Sequence, residues 1–350
     1  MRKLLLPFSW IFRFIVFFRN KLYDNGYFKR VVLSAKVISV GNISVGGTGK
    51  TPFVELIARY LVKKGKFVIV VTKGYKRESD DMQVVEFGYK NEDHKLTAQN
   101  FGDESIMLME NFGDIPKRSG LLIAADNKRS GSKLADSKFK PDVIILDDGF
   151  QKRNIHRDLD IVILNTQYKG HLIPAGNFRE PYSSTHRADI RVLNRKFDDS
   201  MDLNLSKLGK IPEYKYENEN FINLENKCLQ EKKINAIAFC GIGDPGSFKK
   251  LLDVANIIIK QFLVFPDHYS YKQEDIEKII NSFNSSGAEY ILTTQKDFVR
   301  FKYSIDLYTD GKNIIKEFLY NYPVYYSKLQ LKFTENQDIL FDKLDKLIRD

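Results

Sequence analysis

The 350-residue chain contains only two cysteines, Cys228 and Cys240, and their spacing matches no metal-binding motif. Two isolated thiols do not build a disulfide framework, so a reducing cytosolic setting is the natural interpretation. Internal repeats and extended low-complexity tracts are also absent from the sequence. These absences exclude a disulfide-stabilised secreted module and a repeat protein.

Long hydrophobic runs are scarce as well. The most apolar segment runs from Leu4 to Phe18 and contains fifteen residues. As a helix it would measure about 22 Å, whereas the interior of a bilayer is about 30 Å thick. A helix that lies in the membrane interface therefore fits better than a full span. No small-residue cleavage site follows the segment, so we do not expect a cleaved signal peptide.

The N-terminal segment is also strongly basic. Residues 1–30 carry seven Lys and Arg side chains against one Asp, a net charge of +6. On a helical projection Arg2, Ser9, Arg13 and Asn20 form one narrow stripe, and the remaining circumference is apolar. Such a helix can attract anionic head groups. The alternative, that it docks on the protein's own core, stays open.

Composition places the chain among globular proteins, since 43% of its residues are hydrophobic. The length is sufficient for two domains of ordinary size. The formal net charge of +10 favours acidic partners, namely nucleic acid, anionic lipid or a phosphorylated substrate.

Short apolar strands alternate with amphipathic helices, which predicts an α/β fold with a doubly wound parallel sheet. We predict an N-terminal helix in 1–30, a core in 31–197, a polar connector in 198–233 and a smaller C-terminal α/β domain in 234–350. Short strands within the connector stay open as an alternative. The predicted strands are Val37–Val40, Phe67–Thr72, Gly120–Ala124, Val143–Leu146, Leu159–Leu164, Ile190–Leu193, Ile234–Cys240, Ile258–Phe265, Glu289–Thr293 and Val324–Tyr326. The principal predicted helices are Pro52–Lys64, Glu104–Phe112, Asn127–Asp136 and Gln337–Ile348.

A glycine-rich loop follows the first strand and leads directly into a helix. Its glycines allow backbone N–H groups to face a phosphate chain, and the helix N-terminus adds its positive dipole. The residues predicted to bind nucleotide phosphates are Gly46, Gly47, Thr48, Gly49, Lys50 and Thr51. Lys50 can reach the β- and γ-phosphates, and the Thr51 hydroxyl can bind Mg²⁺. Ser44 occupies the position of the first glycine of the common P-loop pattern.

A second apolar strand, Val143–Leu146, ends in Asp147 and Asp148. This arrangement is typical of a strand that delivers a carboxylate to Mg²⁺ or to its waters. The guanine signature [NT]-K-x-D is absent, because Lys296 stands one position too late after Thr294. ATP with Mg²⁺ is therefore the expected cofactor pair.

Several other polar residues are candidates on weaker grounds. Asp103 and Glu104 open a predicted helix, where carboxylates often serve only as caps or dipole partners. His268 follows an apolar strand, and a lone histidine is often structural. The basic side chains of Lys73, Arg77 and Arg179 lie in loops that contact phosphates or are simply solvated.

Taken together, these motifs resemble one family, tetraacyldisaccharide 4′-kinase, the lipid A 4′-kinase of Gram-negative bacteria. The resemblance covers most of the chain and also includes the second-domain motifs. It rests on Gly41-Asn42, Gly46 to Pro52, Lys73-Gly74-Tyr75, Gly102-Asp103-Glu104, Asp147 to Gln151, Pro174-Ala175-Gly176, Arg179-Glu180-Pro181, Gly241-Ile242-Gly243, Phe265 to His268 and Leu292 to Asp297. The family's own loop is like this one at Ser44, so that departure disappears. Lys73, Lys152 and Gln295 differ from the family's usual residues, which affects fine substrate contacts.

The resemblance implies phosphoryl transfer from ATP to the 4′-hydroxyl of a tetraacyldisaccharide 1-phosphate, at the cytoplasmic face of the bacterial inner membrane. It implies that Asp103 is the base toward the sugar hydroxyl and that His268 is its partner. Asp147 and Asp148 would hold or orient the metal, with Glu104 as an assistant. The expected partners are the anionic glycolipid and the membrane surface; neither nucleic acid nor an obligate protein partner is expected.

Two other functional classes remain to be distinguished. A membrane-recruited P-loop NTPase switch would bind partners according to its nucleotide and would phosphorylate no lipid. A soluble small-molecule kinase or amide ligase of similar sheet architecture would not need the N-terminal segment.

Overall fold

The computed structural model describes residues 2–46, 49–74, 81–89, 98–165, 170–196, 209–231, 233–303 and 314–349. Twelve strands are found within these ranges. They are β1 (Lys36–Asn42), β2 (Val68–Thr72), β3 (Gln83–Glu86), β4 (Gly120–Ala124), β5 (Val143–Asp147), β6 (Leu159–Asn165), β7 (Ile190–Asn194), β8 (Glu213–Ile222), β9 (Ile234–Cys240), β10 (Ile257–Val264), β11 (Tyr290–Thr294) and β12 (Val324–Glu335).

The same ranges contain ten α-helices. They are α1 (Leu6–Asp24), α2 (Lys50–Lys63), α3 (Ala98–Phe101), α4 (Asp103–Asn111), α5 (Lys128–Leu134), α6 (Pro245–Val254), α7 (Gln273–Ser286), α8 (Gln295–Lys302), α9 (Ile314–Asn321) and α10 (Gln337–Arg349). A π-helical turn, Ala135–Phe139, continues α5. The predicted helices and strands are therefore present, with small shifts at their ends except for β12.

All twelve strands belong to one sheet, in the order β10-β9-β11-β12-β8-β7-β6-β1-β5-β2-β4-β3. β1 pairs in parallel with β5 on one side and with β6 on the other. The central strands are continuous apolar runs that are buried along their length, as expected where helices cover both faces of a parallel sheet. The α/β prediction is confirmed.

The two halves of the sheet are joined by a long antiparallel ribbon. β8 lies inside the segment predicted as a polar connector, and β12 extends nine residues beyond the predicted Tyr326. The two strands pair from Glu213 to Ile222 against Glu335 to Tyr326. Their exposed face carries Lys, Glu and Asn, so composition indicated a connector with at most short strands, whereas β8 is ten residues long. The division into separate domains stays a prediction.

Helix α1 contacts the rest of the protein through Ser9 and Asn20 of its polar stripe, whereas Arg13 of the same stripe is exposed. Ser9 is buried, donates to the Leu172 carbonyl at 2.8 Å and accepts from the Ala175 N–H at 3.0 Å. Asn20 donates to the buried Glu180 carboxylate at 2.9 Å. Val16 of the helix is also buried, and seven large apolar side chains of α1 stay exposed, namely Phe8, Trp10, Ile11, Phe14, Ile15, Phe17 and Phe18. Among the described helices, none is both long and apolar enough to cross a bilayer.

Candidate active site

Parallel strands bring the predicted nucleotide loop and the paired aspartates to one edge of the sheet. Val40 of β1 stands in register with Asp147 at the end of β5. Gly46 and Gly49 adopt φ values of 100° and 79°, a region that side chains rarely enter. Gly49 forms the N-cap of α2, so Lys50 and Thr51 occupy the first turn of the helix. Gly47 and Thr48 lie outside the described residues.

The Lys50 ammonium is held between the ends of β1 and β5. Its Nζ lies 3.5 Å from the Asn42 Oδ1 and 3.5 Å from the Asp148 Oδ1. Arg179 donates a hydrogen bond from each terminal nitrogen to the same Asp148 carboxylate, at 2.9 and 2.8 Å, and also contacts the Asn42 Oδ1. Burial would raise the pKa of Asp148, but the Arg179 hydrogen bonds and the Lys50 charge hold it well below its usual range. Asp148 is therefore ionised at neutral pH.

Asp147 has the surroundings of a cation ligand. Its Oδ2 accepts from the Thr72 hydroxyl at 3.3 Å, and its buried Oδ1 has no hydrogen-bond partner among the described residues. Burial raises the pKa of Asp147 to about 6, although the positive charge of Lys128 opposes the shift. Among described residues, no group of three His, Cys, Asp or Glu side chains is arranged to hold a metal. Asp147 and Thr51, a buried residue in the first turn of α2, therefore fit a Mg²⁺ that takes most of its oxygens from water and phosphate.

Lys128 is a buried cation that sequence reasoning missed. It begins α5, which follows β4, and only 3% of its surface is exposed. Burial lowers the pKa of Lys128, while the carboxylates of Asp147 and Asp148 act in the opposite direction. Its place after the carboxyl end of a parallel strand was the signal that could have identified it, since such ends converge at binding sites.

A second cluster forms where the two halves of the chain meet. The Nδ1 of His268 lies 3.3 Å from the Asp103 Oδ2, and the Arg300 Nε donates to the same oxygen at 2.7 Å. None of the described residues hydrogen-bonds the Asp103 Oδ1. Burial would raise the pKa of Asp103, but the His268 hydrogen bond and the Arg300 charge lower it to about 2. The carboxylate is ionised at neutral pH and keeps one oxygen for another donor.

Lys296 connects this cluster to Glu104. Its Nζ lies 3.1 Å from the His268 Nε2 and 3.3 Å from the Glu104 Oε1. Glu104 in turn adds negative potential at Asp147, which raises the pKa of that buried carboxyl further. Glu104 thus pairs with the Lys296 ammonium group, and its negative charge also acts on Asp147.

Asp297 builds the loop that carries His268. It is fully buried, accepts from the Gly241 N–H at 3.0 Å and contacts the Thr294 and Tyr271 hydroxyls at 2.7 and 3.0 Å. The backbone N–H of His268 donates to the Gly241 carbonyl at 3.2 Å, and His268 itself adopts a φ of 56°. Asp297 therefore supports the backbone of Gly241, to which the loop carrying His268 is bonded.

The structure brings most of the predicted site residues together. One group lies at the edge of the sheet where β1 and β5 end, namely Lys50, Thr51, Asp147, Asp148 and Arg179. A second group lies beside it, namely Asp103, Glu104 and His268. Lys73 is exposed after β2. Arg77 lies outside the described residues. Arg300 was missed, because nothing in its local sequence distinguishes it from other basic residues of an amphipathic helix.

Comparison with known proteins gives the same picture. Residues 1–349 match the family model described as LpxK, tetraacyldisaccharide-1-P 4′-kinase. The chain is 38% identical over 309 residues to the tetraacyldisaccharide 4′-kinase of Aquifex aeolicus, covering 86% of this chain and 90% of that protein. It is 32% identical over 319 residues to the enzyme of the same name from Bdellovibrio bacteriovorus, covering 86% and 90%.

A solved structure shares the fold. The crystal structure described as the "apo" form of LpxK from Aquifex aeolicus in complex with ATP superposes with a TM-score of 0.74 at 33% identity, covering 99% of each chain. The match of the family model over nearly the whole chain and the identity to the enzymes of that name agree with the site geometry. The chain therefore belongs to the tetraacyldisaccharide-1-phosphate 4′-kinase family and is a kinase.

Proposed function

We propose that this kinase transfers the γ-phosphoryl group of ATP to the 4′-hydroxyl of a tetraacyldisaccharide 1-phosphate. The observation that carries the proposal is the meeting of Asp103 and His268, contributed by different halves of the chain, beside the edge that holds Lys50 and Asp148. A nucleotide loop alone serves hydrolases and switches equally well. A buried carboxylate with one free oxygen beside that loop suits an alcohol acceptor.

The proposed roles follow from charge and position. Lys50, Gly46, Gly49 and the N-terminus of α2 bind the phosphates of ATP, and Gly47 and Thr48 belong to the same loop. Asp147 and Thr51 hold Mg²⁺, with Asp148 and Glu104 nearby. When bound, the ion neutralises charge on the phosphate oxygens. Arg179 keeps Asp148 and Asn42 in place beside Lys50.

Asp103 is the proposed base. The ionised carboxylate accepts the 4′-hydroxyl proton at Oδ1 as the sugar oxygen bonds to the γ-phosphorus. The bond from that phosphorus to the bridging oxygen breaks, and the electron pair leaves with ADP. A carboxylate of low pKa is a weak base, but the loose transition state of phosphoryl transfer asks mainly for orientation and late proton acceptance. His268 and Arg300 fix the carboxylate through Oδ2.

The exposed face of α1 suits a membrane surface. Seven large apolar side chains of α1 are exposed, whereas Ser9 and Asn20 of its polar stripe are bonded to Leu172, Ala175 and Glu180. A contiguous apolar surface of this kind marks an interaction site, and the neighbouring basic residues favour anionic head groups. We place the enzyme at the cytoplasmic face of the bacterial inner membrane, where ATP and an anchored glycolipid meet.

The test is direct phosphorylation of the lipid. Purified protein is incubated with Mg²⁺, γ-labelled ATP and tetraacyldisaccharide 1-phosphate in detergent, and the label is located in the product. Transfer to the 4′ position that disappears in Lys50→Ala supports the proposal. Hydrolysis of ATP without labelled lipid, while the Aquifex aeolicus enzyme labels the same preparation, would support an NTPase switch instead.

A further inference from the structure

Two tyrosines of the ribbon reach the start of the nucleotide-binding helix. The Tyr216 hydroxyl donates to the Gly49 carbonyl at 2.9 Å, and the Tyr214 hydroxyl oxygen lies 3.5 Å from the same carbonyl oxygen. Residues two apart on a strand share one face of the sheet, which explains why both rings point to this place. The ribbon that joins the two halves of the sheet thus ends against the loop proposed to bind phosphates.

The contacted carbonyl controls the direction of a phosphate-facing donor. Gly49 and Lys50 share one planar peptide, and in a trans peptide the N–H points opposite to the C=O. This bond is not among the cis peptides of the described residues. The Lys50 N–H is one of the helix donors left without an intrahelical acceptor, which is the kind of donor that binds phosphate. A hydrogen bond that fixes the Gly49 oxygen therefore also fixes the Lys50 N–H.

The Tyr216 side chain is held in place because the residues around it pack closely. The Tyr214 ring stacks on Phe53 of α2 at a centroid distance of 5.4 Å and meets the Tyr216 ring edge-on at 5.7 Å. The Asn194 Nδ2 lies 3.5 Å from the Tyr216 hydroxyl. Burial raises the pKa of Tyr216, so the hydroxyl stays a protonated donor. The side chain has little freedom to leave the carbonyl.

Gly49 permits this contact because it has no side chain. A Cβ built on it would lie 1.9 Å from the Tyr216 hydroxyl oxygen and 2.6 Å from the Asn194 Nδ2. These distances are far below van der Waals contact, so even alanine would displace the tyrosine. The glycine thus serves the close approach of the ribbon as well as the positive φ of the helix cap.

We propose that Tyr216 is a positioning residue for ATP, which holds the Gly49–Lys50 peptide so that the Lys50 N–H faces the nucleotide phosphates. This inference rests on the proposed function only in that the loop binds ATP. It adds Tyr216, which lies in the ribbon and outside the loop, to the residues that determine ATP binding. It also explains why a polar, Lys- and Glu-rich segment keeps two buried tyrosines.

The experiment compares Tyr216→Phe with wild type in ATP affinity, steady-state kinetics and thermal unfolding. Loss of one neutral hydrogen bond predicts a dissociation constant for ATP about three- to tenfold higher. The KM for ATP should rise by the same factor, while the KM for the lipid stays unchanged. A general loosening of the fold would not separate the two substrates in this way.

Tyr60→Phe is the matched control. Its hydroxyl donates to Asp345 at 2.5 Å, about three turns further along the same helix, α2. This variant should bind ATP as wild type does. An ATP affinity of Tyr216→Phe within twofold of wild type, an equal loss in Tyr60→Phe, or an unfolded Tyr216→Phe protein would overturn the inference. Failure of wild type to bind ATP would instead refute the proposed function.

Discussion

Arg300 and Asp103 form an ion pair across 197 positions of sequence, with the Arg300 Nε 2.7 Å from the Asp103 Oδ2. The same guanidinium donates through Nη1 to the Gly241 carbonyl at 2.9 Å and to the Asp297 Oδ1 at 2.8 Å. It therefore ties the proposed base in one half of the chain to the loop that carries His268 in the other. Arg300 is a positioning residue for both members of the pair.

Replacing Arg300 by Met should disable the reaction without removing ATP binding. We expect kcat to fall about 10- to 100-fold, because small displacements of a reacting group are costly. The free energy of unfolding should fall by about 2–4 kcal/mol, since buried carboxylates lose their partner. Steady-state kinetics and urea unfolding measure both.

Arg300→Lys serves as its control. It keeps the charge but cannot bind two carboxylates in a fork, so its kcat should lie between those of wild type and Arg300→Met. A normal kcat in Arg300→Met would show that the ion pair is dispensable for catalysis.

Removing the proposed base should separate chemistry from binding. In Asp103→Ala we expect kcat to fall by about 10²–10⁴, with the dissociation constant for ATP within about threefold of wild type. Single-turnover kinetics and equilibrium ATP binding test this. If ATP affinity falls while kcat at saturating ATP is retained, Asp103 belongs to the nucleotide site and is not a base.

Asp147→Asn tests the metal assignment. The substitution keeps the side-chain size but removes the charge that a hard cation prefers, so half-maximal activity should require about tenfold more Mg²⁺ or higher. Activity is titrated with Mg²⁺ at fixed ATP, and circular dichroism checks the fold. An unchanged Mg²⁺ dependence would remove Asp147 from the metal site.

Glu180 should make stability depend on pH. Burial would raise the pKa of this carboxyl, but hydrogen bonds and charge from Arg187, together with Asn20 and Arg19, lower it below its ordinary value of 4.5. Because the unfolded chain then binds the proton more readily, this stabilisation is complete above pH 4.5 and is lost as pH falls through the lower folded pKa.

The matching variant is Glu180→Gln. Urea unfolding should show it about 1–3 kcal/mol less stable than wild type at pH 7, with the difference shrinking as wild-type Glu180 is protonated. Glu219→Gln, at an exposed carboxylate 3.2 Å from Lys328, should change little. A difference that stays constant down to pH 3 would show that the charge of Glu180 is unimportant.

The apolar face of α1 should determine membrane binding. Changing Trp10, Phe14 and Phe17 to Ser removes three side chains that are 68%, 67% and 62% exposed. We expect binding to vesicles containing anionic phospholipid to fall more than tenfold, because each large apolar side chain contributes about 1.5–3 kcal/mol on burial. Phosphorylation of vesicle-borne lipid should fall in parallel, whereas detergent-dispersed lipid should be used normally.

Tyr320→Ser is the control, since Tyr320 is 63% exposed on α9. It should leave vesicle binding unchanged. Full vesicle binding by the triple α1 variant would exclude this face as the membrane contact.

The sequence by itself determined the features whose residues are neighbours along the chain. The glycine-rich loop before Lys50 and the strand ending in Asp147 and Asp148 are local patterns, and the described residues Gly46, Gly49 and Asp148 lie beyond the ends of the adjacent strands β1 and β5. The amphipathic character of α1 was equally readable. Which face of α1 packs on the protein could not be predicted, because a helical projection does not tell whether a polar stripe meets water or another part of the protein. In the structure Ser9 and Asn20 contact the protein.

Only the tertiary structure decided how distant residues pair. Asp103 and His268 are 165 positions apart, and the resemblance suggested their partnership without showing that both contacts converge on one oxygen. Arg300 and Tyr216 have no local signature, since their roles depend on which strand or helix end packs against them. The ribbon of β8 and β12 was hidden for the same reason: its strands are stabilised by pairing with each other, and that pairing is a long-range property that composition does not encode.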